Sequence, residues 1–351
     1  MPLKRPHTPR DWPDTNSVAA SLLAWYDLHR RDLPWRARPG EAANPYRVWL
    51  SEVMLQQTTV ATVRPRFAAW VARWPDVASL AAADEAEVMS AWAGLGYYAR
   101  ARNLVRTAQA VAAGGFPTTE RELRRLPGLG DYTAAAVAAI AFGRRAVVVD
   151  ANVERVVARL AAIDAPLPGA RGAIQAAADA VTPRERAGDF AQGMMDLGSS
   201  ICTPRKPRCL LCPLRDACAA FATGAPEAYP IKAAKKVRPT RYGTVFWLER
   251  DGRVLLVRRP ARGLLGGMRA LPTGPWTDAA PGLDGAPDAA DWRVLPETVE
   301  HGFTHFKLHL ALAVAEAHAH VDGEWWPVNR LDEAGLPTVF ARAAEAMRRG
   351  R

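Results

Sequence analysis

The sequence predicts a multidomain chain, an all-α domain followed by a smaller α+β domain. Three observations carry that prediction. Through residues 17–222, apolar residues recur at helical spacing in short alanine-rich segments broken by Pro and Gly, at 48–67, 82–93, 99–113, 119–126, 134–142 and 151–160. Residues 224–241 change to a Pro-containing basic segment with Lys232, Lys235, Lys236, Arg238 and Arg241, which reads as a linker. Beyond Tyr242 the period becomes two: the runs 244–248 and 253–257 flank an Asp251-Gly252 hairpin signal, 306–314 alternates again, and 336–347 reads as a helix. A Pro/Gly/Asp-rich loop fills 275–290. The expected boundaries are 1–225 for the helical domain, 226–241 for the linker and 242–351 for the second domain.

At 351 residues the chain is long enough for two cores, and its net charge of +10 suggests a polyanion partner. No apolar run reaches the length of a membrane span, and the opening residues MPLKRPHTPR lack the apolar core of a secretory signal. The expectation is a soluble, intracellular protein with no membrane partner.

Residues 126–152 organise the helical domain. Leu126-Pro-Gly-Leu-Gly130 is a turn that Pro127 keeps from being helical and that Gly128 and Gly130 free to take positive φ. A helix starts near Tyr132, so the turn offers backbone N–H groups at a helix N-terminus, which suits phosphate. Gly143 punctuates that helix, and the extended run 147–149 delivers Asp150 to the N-cap of the helix 151–160, where the dipole favours an ionised carboxylate. A second acid, Glu52, lies in the helical run 48–67 among Val48, Val53, Met54 and Leu55, which leave little polar face. Burial there would raise its pKa and keep a proton available.

All four cysteines fall between Cys202 and Cys218, with six, two and five residues between Cys202, Cys209, Cys212 and Cys218. Such clustering argues for a metal centre over disulfides, either tetrahedral zinc or a cubane iron–sulfur cluster. Zinc ribbons usually pair two short-spaced couples, and only Cys209/Cys212 is such a couple here. Arg205, Lys206, Arg208 and Arg215 decorate the loop and make a basic lobe suited to phosphate.

With the glycine hairpin, the aspartate and the cysteine loop in this order, the first domain resembles the helix-hairpin-helix glycosylases of the endonuclease III superfamily. Within it the chain closely resembles the MutY-type adenine DNA glycosylases over nearly its whole length. Leu33-Pro-Trp-Arg36, Trp49-Leu-Ser-Glu-Val-Met-Leu-Gln-Gln-Thr58, Gly94-Leu-Gly-Tyr-Tyr98 and Met194-Met-Asp-Leu-Gly198 support the match. The resemblance implies a [4Fe–4S] cluster on the four cysteines and removal of adenine mispaired with 8-oxoguanine or guanine in double-stranded DNA. It further implies a monomer working in the cytoplasm at a bacterial nucleoid.

By the same resemblance Glu52 protonates the adenine ring and later helps to activate water, Asp150 stabilises the oxocarbenium-like sugar, and Asn152 hydrogen-bonds the carboxylates. Tyr132 stands where strand-nicking relatives place a Schiff-base lysine, which implies a monofunctional enzyme. Gln57 and Tyr97 match the wedge that plugs the stack behind an extruded base, with Thr58 and Leu95 beside the 8-oxoguanine. Trp35, Arg36 and Gln192 match positions lining the adenine pocket. Thr59 departs from the family, where many relatives carry arginine.

The second domain resembles the Nudix-like domain of the same family. A working Nudix hydrolase needs G-x5-E followed by an acidic helix that holds magnesium. Here Thr273 stands where that glutamate is required and no acidic helix follows, so this domain is expected to recognise and not hydrolyse. Phe303-Thr304-His305 matches the family loop that meets 8-oxoguanine. Three other readings are opposed by the residues: a bifunctional glycosylase/lyase by Tyr132 and the second domain, a silent DNA-binding module by Glu52 with Asp150, and a nucleotide pyrophosphohydrolase by the missing acidic helix.

Overall fold

The structure, a computed structural model, describes residues 15–233, 237–260, 263–318 and 321–350. Lys235 and Lys236 of the expected linker lie outside them. The chain divides into two units, Met1–Val88 with Ala99–Ala234, and Met89–Tyr98 with Lys235–Arg351. Among the described residues no helix is long and apolar enough to cross a membrane.

Helices come first in chain order: α1 (Thr15–His29), α2 (Pro45–Leu55), α3 (Val60–Arg73), α4 (Val77–Ala81), α5 (Glu85–Ala91), α6 (Ala99–Val111), α7 (Glu120–Leu123), α8 (Asp131–Phe142), α9 (Ala151–Leu160), α10 (Arg171–Val181), α11 (Ala187–Ser200) and α12 (Ala219–Ala222). α8 is central to the first unit. Its run Thr133–Ala139 is buried on every side, and α2, α7 and α11 all pack on it. Small alanine side chains let those neighbours approach closely, which is how a helix without an amphipathic face finds its place. α9 is instead strongly one-sided: Val153, Val156, Val157 and Leu160 face a core completed by Val18 and Leu22 of α1 and by Ile174 of α10.

One expected helix divides in two. The run 48–67 is interrupted between α2 and α3, where Gln57 adopts φ 57° and Thr59 becomes the N-cap of α3, its Oγ1 accepting from the Thr62 N–H at 3.3 Å. Arg100 Nη1 closes the end of α2 by donating to the carbonyls of Val53 and Gln56 at 2.8 and 2.7 Å. No Gly or Pro marks this break, so it is invisible to periodicity. Residues 82–93 and 119–126 likewise yield the short α5 and α7 in place of longer helices.

The second unit is built on six strands, β1 (Thr240–Arg250), β2 (Arg253–Arg258), β3 (Arg269–Ala270), β4 (Arg293–Gly302), β5 (Lys307–Glu316) and β6 (Glu324–Pro327), with α13 (Thr338–Arg349) after them. The order is β3-β2-β1-β5-β4, with β6 on β2. β1 and β2 form the expected hairpin over Asp251 and Gly252, both with positive φ (50° and 69°), the requirement of a type I′ turn. β1 and β5 run parallel, and Gly243–Leu248 of β1 is buried residue after residue, as a strand covered on both faces must be. Trp247, Leu256, Leu310, Leu312 and Phe340 centre this core. β3, β4 and β6 were not anticipated from the sequence: two are short, and β4 carries a bulge between Val294 and Thr298 that breaks its alternation.

Candidate active site

Asn44 caps α2 by accepting from the Arg47 N–H at 3.1 Å, and Pro45 follows at the first helical position. Two turns on, Glu52 is 7 % exposed. The Tyr132 hydroxyl, from the first turn of α8, donates to Glu52 Oε2 at 2.6 Å. Burial raises the Glu52 carboxyl from 4.5 to about 7; the Tyr132 hydrogen bond and Arg36 pull against that rise, and Asp150 adds to it. Burial, with the charges of Glu52 and Asp150, also pushes the Tyr132 phenol well above its ordinary range, so at neutral pH it keeps the proton it donates to Glu52.

Asp150 is the N-cap of α9, as the sequence predicts. Its Oδ1 accepts from the Val153 N–H at 2.7 Å and its Oδ2 from Asn152 Nδ2 at 2.9 Å. Asn152 is oriented in turn by Arg155, whose Nη2 donates to Asn152 Oδ1 at 3.0 Å and to the Gly198 carbonyl at 2.7 Å, while Nε donates to the Cys202 carbonyl at 2.7 Å. A hydrogen-bonded path therefore runs from the cysteine loop to Asp150. α11 approaches this path closely: a Cβ at Gly198 would sit 2.7 Å from Asn152 Cβ. Arg155 was missed from the sequence, and its only signal is the position one helical turn after Asn152.

The glycine hairpin ends α8's approach. Gly128 has φ 76°, and any Cβ there would meet Asn103 at 2.7 Å. Thr107 Oγ1 donates to the Pro127 carbonyl at 2.6 Å, and Gly130 is the N-cap of α8. Hairpin and acids share one cleft of about 1100 Å³, lined by Glu52, Gln57, Thr58, Gly128, Gly130, Tyr132, Asp150 and Asn152. Trp35, Arg36 and Gln192 line a smaller cavity of about 50 Å³ that shares Glu52, Leu55 and Met195 with the cleft. Thus every first-unit residue expected at the site, the cysteines apart, faces one of two cavities that have Glu52 in common.

Gln57 and Tyr97 are both exposed, Tyr97 by 55 %, and both adopt a positive φ, 57° and 48°. Left-handed backbone on two residues other than Gly is local strain. Tyr97 and the buried Leu95 belong to the Met89–Tyr98 segment, which groups with the second unit. In that unit Phe303, Thr304 and His305 form the turn between β4 and β5, two residues short of the strand start where they were expected. Phe303 packs inward on Trp276 and Phe306 with ring centroids 5.8 and 4.9 Å away, whereas Thr304 and His305 are exposed. Arg238 of the basic segment donates to the Phe303 carbonyl at 3.2 Å.

The cysteine loop fits an iron–sulfur cluster. Cys202, Cys212 and Cys218 pack on the apolar core under α9, and burial pushes the free Cys212 thiol up to about 12. Thiolates so placed need positive charge beside them. Arg159, 2 % exposed, gives it: Nη1 lies 3.3 Å from Cys202 Sγ, and its remaining donors reach the carbonyls of Thr203, Pro204 and Tyr229. Among the described residues no carboxylate pairs with Arg159, so this buried guanidinium suits the negative charge that a thiolate-ligated cluster carries. No three His, Cys, Asp or Glu side chains among the described residues are gathered for a single metal ion; a cubane is larger and spreads its thiolates.

Comparison with known proteins finds relatives of both domains. A model of the HhH-GPD superfamily base excision DNA repair protein matches residues 50–178, and one of the iron–sulfur binding domain of endonuclease III matches 202–218. An adenine DNA glycosylase of Mycobacterium tuberculosis is 43 % identical over 225 residues, 63 % of this chain and 71 % of that protein. The chain belongs to the adenine DNA glycosylase family. The Arabidopsis thaliana adenine DNA glycosylase is 40 % identical over 74 % of this chain, which spans only 48 % of that relative; for the human one the values are 36 %, 77 % and 60 %. A NUDIX domain model matches residues 244–346. A solved thermostable thymine-DNA glycosylase, 28 % identical, superposes with a TM-score of 0.53 over 60 % of this chain and 97 % of its own. The four cysteines of this family member therefore hold a [4Fe–4S] cluster.

Proposed function

We propose that this chain removes adenine mispaired with 8-oxoguanine or guanine in double-stranded DNA and leaves an intact abasic site. The observation that carries the reading is a buried Glu52 poised near pH 7, in one cleft with an N-cap carboxylate, Asp150. Adenine leaves poorly as an anion, so the extruded base takes the Glu52 proton on a ring nitrogen while the glycosidic bond breaks and its electrons go to the base. The sugar is left with oxocarbenium character. Asp150, positioned by hydrogen bonds from the Val153 N–H at the α9 N-terminus and from Asn152, stabilises that charge. Water then adds to the sugar carbon and gives up its proton to Glu52, restoring the acid.

Tyr132 has no amine and forms no Schiff base, which is why the reaction stops at base removal. The hairpin at Gly128 and Gly130 holds backbone phosphate, Gln57 and Tyr97 fill the space the base vacates, and Trp35, Arg36 and Gln192 receive it. Thr58 and Leu95 lie beside the 8-oxoguanine. The cluster shapes a rigid basic loop for phosphate and supplies no step of the chemistry. In the second domain Thr304 and His305 meet the 8-oxoguanine while Phe303 anchors their turn, and no pyrophosphate is hydrolysed.

The test is a labelled 8-oxoguanine:A duplex assayed for alkali-labile breaks. Breaks confined to the A strand, with no borohydride-trapped adduct, are expected. Absence of breaks with Glu52 intact, or strand cleavage that keeps pace with base release, contradicts the reading. Replacing Phe303 and His305 should lower the preference for 8-oxoguanine:A over G:A, and an unchanged ratio removes the loop from recognition.

A further inference from the structure

The small cavity beside Glu52 is backed by a charge arrangement of which these roles use Arg36 alone. Asp196, on α11, is 1 % exposed and takes two guanidinium groups at once. Arg36 grips it as a fork, Nη1 to Oδ2 at 2.6 Å and Nη2 to Oδ1 at 2.9 Å. Arg31 donates from Nε to Oδ1 at 2.6 Å, brings Nη2 to 2.5 Å from the same oxygen, and adds its backbone N–H to Oδ2 at 3.3 Å.

A buried structural ion pair is neutral when one arginine meets one carboxylate. Here the second arginine leaves a surplus of one positive charge, and both Arg31 and Arg36 line the cavity together with Glu52. The edge of a purine offers ring nitrogens as acceptors, and guanidinium forks locked by a shared carboxylate offer donors in fixed directions. We propose that Asp196 is the positioning residue of this pocket: it holds Arg31 and Arg36 against the bound base and limits the positive charge beside Glu52 to one. The inference rests on the reading of Glu52 as the general acid.

The charged and titratable groups lining the two cavities with Glu52 are Arg31 and Arg36 from the segment after α1, Asp131 and Tyr132 from α8, Asp150 and Glu154 at the start of α9 and Arg171 at the start of α10, with Asp196 of α11 behind the first two arginines. Removing the carboxylate raises the surplus to two, which favours ionised Glu52. Removing one arginine lowers it to zero, which favours the protonated acid. Removing both restores it to one.

These counts set the experiment, single-turnover adenine release against pH for the cluster-loaded protein. D196N should move the midpoint of the acid-dependent limb to lower pH, and a move of about one unit slows release at pH 7 roughly fivefold. R31Q should move it to higher pH, and R31Q/D196N should bring it back to the wild-type position despite carrying two lesions. A purely structural role predicts additive damage with no return. Should D196N alone not fold, judged by melting and cluster absorbance, the R31Q and double-variant midpoints still decide. A wild-type limb that E52Q abolishes but that none of the three substitutions moves overturns this inference and leaves the Glu52 reading standing. A limb that E52Q does not touch overturns both.

Discussion

The two walls of the cleft treat a carboxyl group in opposite ways. On the α2 wall Glu52 is buried with one phenolic donor, and its proton is retained to about pH 7. On the α9 wall Asp150 sits at a helix N-terminus, where a backbone N–H and the Asn152 amide both donate to it. Neither residue type is special; burial raises the one carboxyl, and hydrogen bonds fix the orientation of the other. An N-glycosidic bond to a poor leaving group needs both at once.

Substitutions at each wall can break that division. The largest effect is expected from E52Q, which removes the proton donor and should slow base release by roughly 10²–10⁴-fold in single-turnover assays. The same variant should be more stable than the wild type as pH rises. A carboxyl whose folded pKa is raised gives its full stabilisation below the unfolded value of 4.5 and loses it as pH climbs through about 7. By pH 8 the wild type has lost about 3 kcal/mol that E52Q does not lose, so the gap between their denaturation midpoints should widen from pH 4.5 to pH 8. A constant gap would mean that Glu52 is solvated.

D150N keeps the cap but not the charge, and release should fall by about 10²–10³-fold with little change in Tm. N152A removes one of two donors to Asp150 and should cost about tenfold, through the net worth of one charge-assisted hydrogen bond. Y132F gives the smallest effect and a diagnostic one. Loss of the hydrogen bond that favours ionised Glu52 should move the pH limb upward, with release at pH 8 faster than in the wild type. A downward move would mean that the phenol favours the protonated acid.

The two walls also differ in how legible they were. Asp150 was readable because its signals are local: an extended apolar run, an aspartate, then a strongly one-sided helix. Its partner Asn152 lies two residues away. Glu52 was placed on a helix, but its companions come from far along the chain. Arg36, Tyr132 and Asp196 reach the pocket from three other segments, and no spacing rule connects them. The break after α2 was hidden for a related reason, since no glycine marks the positive φ of Gln57 and Arg100, which closes the end of α2 through the Val53 and Gln56 carbonyls, comes from far along the chain. Thr59, where many relatives carry arginine, has a local task as the cap of α3. In the second unit the Asp251-Gly252 hairpin was legible, whereas β4 was concealed by its bulge.

The division between acid and anion is tested most directly by the pH dependence of single-turnover adenine release from an 8-oxoguanine:A duplex. Release should be fastest at low pH, fall with a midpoint near 7 as Glu52 ionises, and lose that limb in E52Q while D150N retains it. A rate that stays flat between pH 5 and pH 8, or a limb that survives E52Q and disappears in D150N, would contradict the assignment of the two carboxyl groups.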